Sequence, residues 1–230
     1  MKNFFIIQLL RKEIIDNITG YAYNKTYVAK QVFLNGGNEM PPKQKFTKDA
    51  IISAALEITK REGITALTAR RLGAELNSSA RPIFTVFQNM VEVHNKTIQG
   101  ARALYNEYVE KGLAEPNPFK GVGKAYIQFA RFEPKLFQLL FMTECGAVPE
   151  LSDVLSMIDE NSNKILDTIK KEYGLEDTNA RKVYQYLWIF THGIATLYAT
   201  GVCQFKESDI STMLDDVCRS VLQRMKAGEK

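Results

Sequence analysis

Residues 78–85 read Ser-Ser-Ala-Arg-Pro-Ile-Phe-Thr, a run that could contact phosphates and base edges. Ser78, Ser79 and Thr85 offer hydroxyls, Ala80 leaves room for close approach, and Arg81 carries a guanidinium. An arginine that binds guanine O6 and N7 bidentately discriminates against the wrong base by about 1–3 kcal/mol. The same side chain on a phosphate would only position the protein, and both roles are open for Arg81. Catalytic chemistry is far less well supplied. There are two histidines, His94 and His192, and neither has a second ligand at metal spacing. Gly121-Val122-Gly123-Lys124 is too short for a phosphate loop and has no preceding strand. Glu144-Cys145 with His192 lacks a third, orienting group. No catalytic residue, metal or cofactor is therefore expected.

The elements that must position residues 78–85 are helical. Thr47 can cap a helix from Lys48, with Phe46 and Ile51 at staple spacing. Ile51, Ala55 and Ile58 mark its buried face, and Gly63 stops it as a left-handed C-cap. Thr68 caps a short helix that ends near Leu76. Asn77-Ser78 forms a tight turn, where Asn77 tolerates positive φ better than any residue but glycine. A third helix is predicted from about Ser79 to Phe87, burying Ile83, Val86 and Phe87, with Pro82 tolerable in its first turn. Asn89 then caps a long fourth helix and has capping-box spacing to Glu92. Two short helices joined by a tight turn, behind a packing helix, are the arrangement that inserts a helix into the major groove of DNA.

The rest of the chain reads as helix throughout. Pro116 and Pro118 mark one break and Pro134 another. Helices are expected over Val122–Phe132, Lys135–Met142, Leu151–Tyr173, Thr178–Thr200 and Ser208–Met225. With no sustained strand alternation, the fold class is all-α with about nine helices. The first 39 residues read differently. Phe4 to Leu10 looks like a signal-peptide core but lacks a cleavage site. An amphipathic helix and an upstream reading-frame extension ahead of Met40 are both open, so residues 1–39 are set apart.

Net charge is +4 over 230 residues. Residues 40–90 hold eight Lys/Arg against four Asp/Glu, whereas 91–230 hold seventeen against nineteen. The positive excess sits where a polyanion would be met. No run of 18 apolar residues occurs, so no membrane span is expected. The three cysteines, Cys145, Cys203 and Cys218, are scattered, which fits a reducing, cytoplasmic setting rather than a disulfide framework or zinc site.

The run from Phe46 through Val93 resembles the N-terminal domain of TetR-type (tetracycline-repressor) regulators. The matching pieces are Ile52-x-x-Ala55-Leu56-Glu57-Ile58, Gly63-Ile64-x-x-Leu67-Thr68, Leu72-Gly73 and Ile83-Phe84-x-Val86-Phe87-x-Asn89. The resemblance implies a DNA-binding domain over 40–93 and an effector-binding, dimerisation domain over 94–230. It implies that Ser79, Arg81 and Thr85 face double-stranded DNA, with Ser78, Ala80, Phe84 and Asn89 beside them. Thr68 and Arg70 would contact backbone phosphate, with Arg71 a weaker candidate. Three departures matter: Phe84 replaces the usual tyrosine, Met90 a phosphate-contacting lysine, and Asn77 the turn glycine. Two lost phosphate contacts would weaken non-specific affinity, and Lys45, Lys48 and Arg81 could compensate.

A single recognition unit covers few base pairs, so a homodimer on a palindromic operator is expected. The last two helices are the expected interface, through Tyr184, Leu187, Trp188, Thr191, Ala195 and Tyr198 on one and Leu214, Val217, Val221 and Leu222 on the other. Residues 129–141 and Trp188-x-x-x-His192-Gly193 resemble parts of TetR-type effector domains. Phe129, Phe132, Phe137, Phe141, Tyr184, Trp188 and His192 are thus candidates for a pocket that takes an apolar or aromatic effector. The expected function is a repressor released from its operator by that effector. The rival is an all-helical dimeric interaction module that has lost DNA binding, motivated by Phe84 and Met90.

Overall fold

The structure is a computed structural model, and it describes residues 45–143, 150–151 and 153–227. Residues 1–39 and the Glu144-Cys145 pair lie outside the described residues. Among those described, the chain is all-α, with nine α-helices and two short 3-10 segments. The helices are α1 (Lys48–Glu62), α2 (Ala69–Glu75), α3 (Met90–Leu113), α4 (Pro118–Phe132), α5 (Pro134–Phe141), α6 (Val154–Ile158), α7 (Ser162–Tyr173), α8 (Asp177–Ala199) and α9 (Glu207–Ala227). No helix among the described residues is long and apolar enough to cross a membrane.

Local capping chemistry sets the starts. Thr47 Oγ1 accepts from Ala50 N–H at 3.1 Å and Thr68 Oγ1 from Arg71 N–H at 3.1 Å. Asn89 Oδ1 accepts from Glu92 N–H at 3.0 Å, satisfying donors that a helix leaves orphaned. Glu92 reaches back as a capping-box acid should, but to Gln88 N–H at 2.9 Å, one residue before the cap. Asn117 caps α4 with Pro118 in its first turn, so that helix starts four residues earlier than the expected Val122. Gly63 ends α1 at φ 88° and ψ 164°; the positive φ is as expected, but the residue is not left-handed helical.

Two sequence-based expectations fail. Arg81–Thr85 is a 3-10 segment, not an α-helix running from Ser79 to Phe87. Pro82 supplies no N–H, and within the segment the bonds are Ile83 N–H to Ala80 O and Val86 N–H to Ile83 O, the i→i+3 pattern, with a single i→i+4 bond from Phe87 N–H to Ile83 O at its end. The predicted helix Leu151–Tyr173 is two helices, α6 and α7. Asp159 adopts extended backbone (φ −135°, ψ 112°) and turns its side chain inward. Its carboxylate accepts from Tyr105 O–H and from Asn161 N–H, both at 2.8 Å.

Two main cores result. Ile51, Ala55, Ile58, Leu67, Leu72, Ile83, Phe87 and Val93 form the first, drawn from α1, α2, the 3-10 segments and turns between them, and the start of α3. The second is larger, aromatic-rich and built around α3, α4, α7 and α8. α3 enters both, since Val93 lies in the first and Tyr105 in the second.

Candidate nucleic-acid interface and ligand pocket

The turn between α2 and the 3-10 segment is built by two residues. Asn77 sits at φ 48°, the one described non-glycine residue with positive φ. Gly73 lets the chain return over α2, because a Cβ there would lie 2.9 Å from Ser79 C and 3.0 Å from Ala80 N. Any side chain would push the turn off the helix.

This scaffold leaves Ser79, Arg81, Phe84 and Thr85 exposed, with Ser78 and Ala80 half-buried. Arg70 and Thr68 on the preceding helix are exposed too. Arg70 and Arg81 have no side-chain partner among the described residues, so both guanidiniums are available to an external anion. Thr68 Oγ1 uses a lone pair on its cap and keeps its proton to donate. Thr85 is the reverse: its hydroxyl donates to Pro82 O at 2.7 Å, which leaves it an acceptor toward a donor such as a base amino group. Lys45 Nζ donates to Ser78 Oγ at 3.0 Å, tying the residues just before α1 to the turn. Lys48 pairs with Glu92 at 3.2 Å and lies over the Phe87 ring, so its charge is partly spent inside the protein. Asn89 is occupied by its cap. Met90 packs against the first core, which explains an apolar residue there.

Arg71, the weaker phosphate-contact candidate, is engaged within the protein. It donates to both Glu62 (2.7 Å) and Glu75 (2.8 Å), and Arg61 also donates to Glu75 (2.9 Å). The network ties the end of α1 to α2. Arg71 holds the Glu62 carboxyl below its usual range, and Arg61 followed by Arg71 does so for Glu75. Groups with depressed folded values stabilise the native state above the ordinary carboxylate range and lose that contribution as pH falls through the depressed values. The thermal midpoint of the wild type is therefore expected to drop more steeply below pH ~4.5 than that of Glu75→Gln, with the two converging in acid. Parallel profiles would show that the network contributes nothing.

The second core contains a cavity of ≈ 100 Å³ walled by Tyr105, Phe119, Tyr126, Asp159, Tyr184 and Trp188. Of the sequence candidates, Tyr184 and Trp188 line it. Phe129 and Phe137 are fully buried in the packed core beside it, and Phe141 packs edge-on against Tyr105. Phe132 is 61% exposed and lies under Arg131 instead. His192 stands behind the wall: its ring stacks on Trp188 at 5.1 Å, and its Nδ1 is 2.9 Å from the Tyr126 hydroxyl. Burial holds the His192 imidazole below its usual value, so it is neutral at pH 7.

Tyr105, Asp159, Lys120, Asp215 and Cys218 also line the cavity, and sequence reasoning missed them. For Asp159 a signal existed: an Asp-Glu-Asn-Ser cluster interrupts an apolar helical pattern, the composition of a turn. Lys120 and Asp215 form an ion pair of 2.7 Å on the wall.

The expected dimer strip is also revised. Tyr184, Leu187, Thr191 and Ala195 are buried within this single chain, so they complete its own core. The apolar residues α8 leaves exposed are Tyr186, Ile189 and Leu197, on another face of the same helix.

Residues 119–221, which span α4 through most of α9, match the family model described as "Tetracyclin repressor-like, C-terminal domain". That stretch of the chain is therefore similar to the C-terminal domain of tetracycline-repressor (TetR) type proteins. A crystal structure of a TetR variant from Acinetobacter baumannii AYE in complex with minocycline aligns with TM-score 0.47 and 17% identity, over 81% of this chain and 99% of that one. That overlap is too loose to transfer residue roles. No curated protein matches the sequence.

Proposed function

We propose that the protein is a dimeric, ligand-responsive transcriptional regulator that represses by binding a palindromic operator and is released when an effector fills the cavity. The observation that carries this reading is α3. It is one uninterrupted helix of 24 residues whose Val93 is buried in the first core and whose Tyr105 walls the cavity. Twelve residues separate them, about 18 Å along the axis. His94 on the same helix donates from Nε2 to Leu67 O at 2.7 Å, beside the Thr68 cap. A ligand that displaces Tyr105 thus acts on the element that holds the helix-turn-helix.

DNA contact in this reading falls to Ser79 in the turn, to Arg81 and Thr85 on the 3-10 segment, and to Thr68 and Arg70 at the start of α2, with Lys45 just before α1. Dimerisation uses α8 and α9, through the exposed face at Tyr186, Ile189 and Leu197. Two recognition units must sit about 34–36 Å apart to meet successive major grooves. A small rotation about α3 then suffices to abolish simultaneous docking.

The second reading, a protein-interaction module without DNA binding, draws on Phe84, an aromatic ring 45% exposed at the centre of the recognition segment. Selection of duplexes from a random pool by the purified protein separates the two. The regulator reading expects enrichment of a two-fold symmetric site; a pool that stays random defeats it.

A further inference from the structure

We infer that the cavity receives a lipophilic organic cation, a positively charged nitrogen carried on an aromatic or branched apolar body. This rests on the effector-pocket reading and narrows it to a ligand class. Asp159 carries the inference. It is 6% exposed and lines the cavity, and the charge that acts on it most directly is that of Arg102 on α3. The carboxylate accepts hydrogen bonds from Tyr105 O–H and Asn161 N–H, which are neutral donors.

The other charges on the wall do not compensate it. Lys120 is committed to Asp215 at 2.7 Å, so that pair is neutral overall. His192, behind Trp188, is uncharged at neutral pH, as argued above. Burial pushes the Asp159 carboxyl up from its usual range, against the opposing pull of the Tyr105 and Asn161 hydrogen bonds and of the Arg102 charge. A folded value above the unfolded one means that the ionised carboxylate costs stability at neutral pH. A desolvated acid that faces a cavity is a candidate for a functional residue.

The rest of the wall suits the same ligand. Tyr105, Tyr126, Tyr184, Phe119 and Trp188 present aromatic rings, whose faces attract cations, and indole does so best. An anion would meet Asp159 unshielded. A neutral ligand would leave the carboxylate buried beside apolar surface, at the desolvation cost of a charge without a partner.

Trp188 is the only tryptophan in the chain, so its emission reports on this cavity alone. The test titrates the purified full chain with benzyltrimethylammonium and with its neutral isostere neopentylbenzene, following that emission. The cation is expected to bind saturably and about tenfold or more tightly than the isostere. Asp159→Asn is expected to fold at least as stably, to lose the cation preference, and to leave the isostere unchanged. Should that variant not fold, the cation-to-isostere ratio in the wild type still decides. Equal or tighter binding of the isostere, unchanged cation affinity in Asp159→Asn, or no saturable response to the cation overturns the inference. Site-selective DNA binding, measured in the same preparation without any probe, separates failure of this ligand class from failure of the regulator reading.

Discussion

Gly121→Ala is expected to destabilise the protein by about 3 kcal/mol or more, the upper end of what overpacking causes. α3 and α4 cross at Gly112 and Gly121 with their backbones in contact. A Cβ added at Gly121 would fall on Gly112 O and within 3.0 Å of Gly112 C. One added at Gly112 would lie 2.7 Å from both Gly121 C and Gly121 O. These neighbours are main-chain atoms, so no rotamer change can make room and the helices must separate. Gly123, two residues along the same helix, is the control. A Cβ there meets nothing within 4 Å, and replacing a helical glycine by alanine gains up to about 1 kcal/mol of propensity. Urea midpoints should therefore move in opposite directions for Gly121→Ala and Gly123→Ala. Equal shifts of the same sign would mean that the crossing is not as tight as described. Lys120 and Val122 flank Gly121 on the cavity wall, so a variant that survives would also bind ligand differently.

The second large effect is expected at Arg81. Arg81→Ala should weaken binding to the selected duplex about tenfold or more, the loss of one charge-assisted or bidentate contact. Its guanidinium is exposed beside the turn and has no side-chain partner among the described residues, so removing it costs the fold nothing. A panel of site variants tells its role. If Arg81 reads guanine, discrimination collapses at one position by about 1–3 kcal/mol; if it binds phosphate, affinity falls uniformly and the salt slope lessens by about one. Arg71→Ala provides the contrast. It breaks a network with Glu62 and Glu75, so its effect should appear in thermal stability rather than in contact with DNA. Unchanged affinity in Arg81→Ala would remove the recognition segment from the interface.

Features that depend on neighbours within four residues were legible in the sequence. Thr47, Thr68 and Asn89 cap as their types and spacing require, and Asn77 takes the positive φ that the turn demands. The long helices and the family resemblance were legible for the same reason. The 3-10 form of residues 81–85 was not, because Pro82 was weighed as tolerable in an α-helical first turn rather than as the missing donor. The break at Asp159 was signalled by the polar run at residues 159–164 but outweighed by the apolar helical pattern around it, and its inward turn toward Tyr105, 54 positions away, left no local trace.

The pocket was half legible. Aromatic spacing finds rings that face inward, but it cannot tell a packed wall from an empty one. Phe129 and Phe137 proved to be packing, and Tyr184 and Trp188 to be lining, although all four satisfy the same pattern. α8 is apolar on more than one face, so periodicity alone did not select between the buried stripe at Tyr184 and the exposed one at Tyr186. Tyr105, Lys120, Asp159 and Asp215 meet only through the folded chain and left no shared motif.

Anisotropy titration of a labelled duplex carrying the gene's own promoter region, beside a scrambled duplex of equal length, tests the central claim most directly. Across ~50–200 mM salt, the account predicts promoter binding about 10³-fold or more tighter than scrambled, with affinity falling as salt rises. It also predicts two protomers bound per site. Equal affinity for the two duplexes at every salt concentration, or no binding to either, would contradict it.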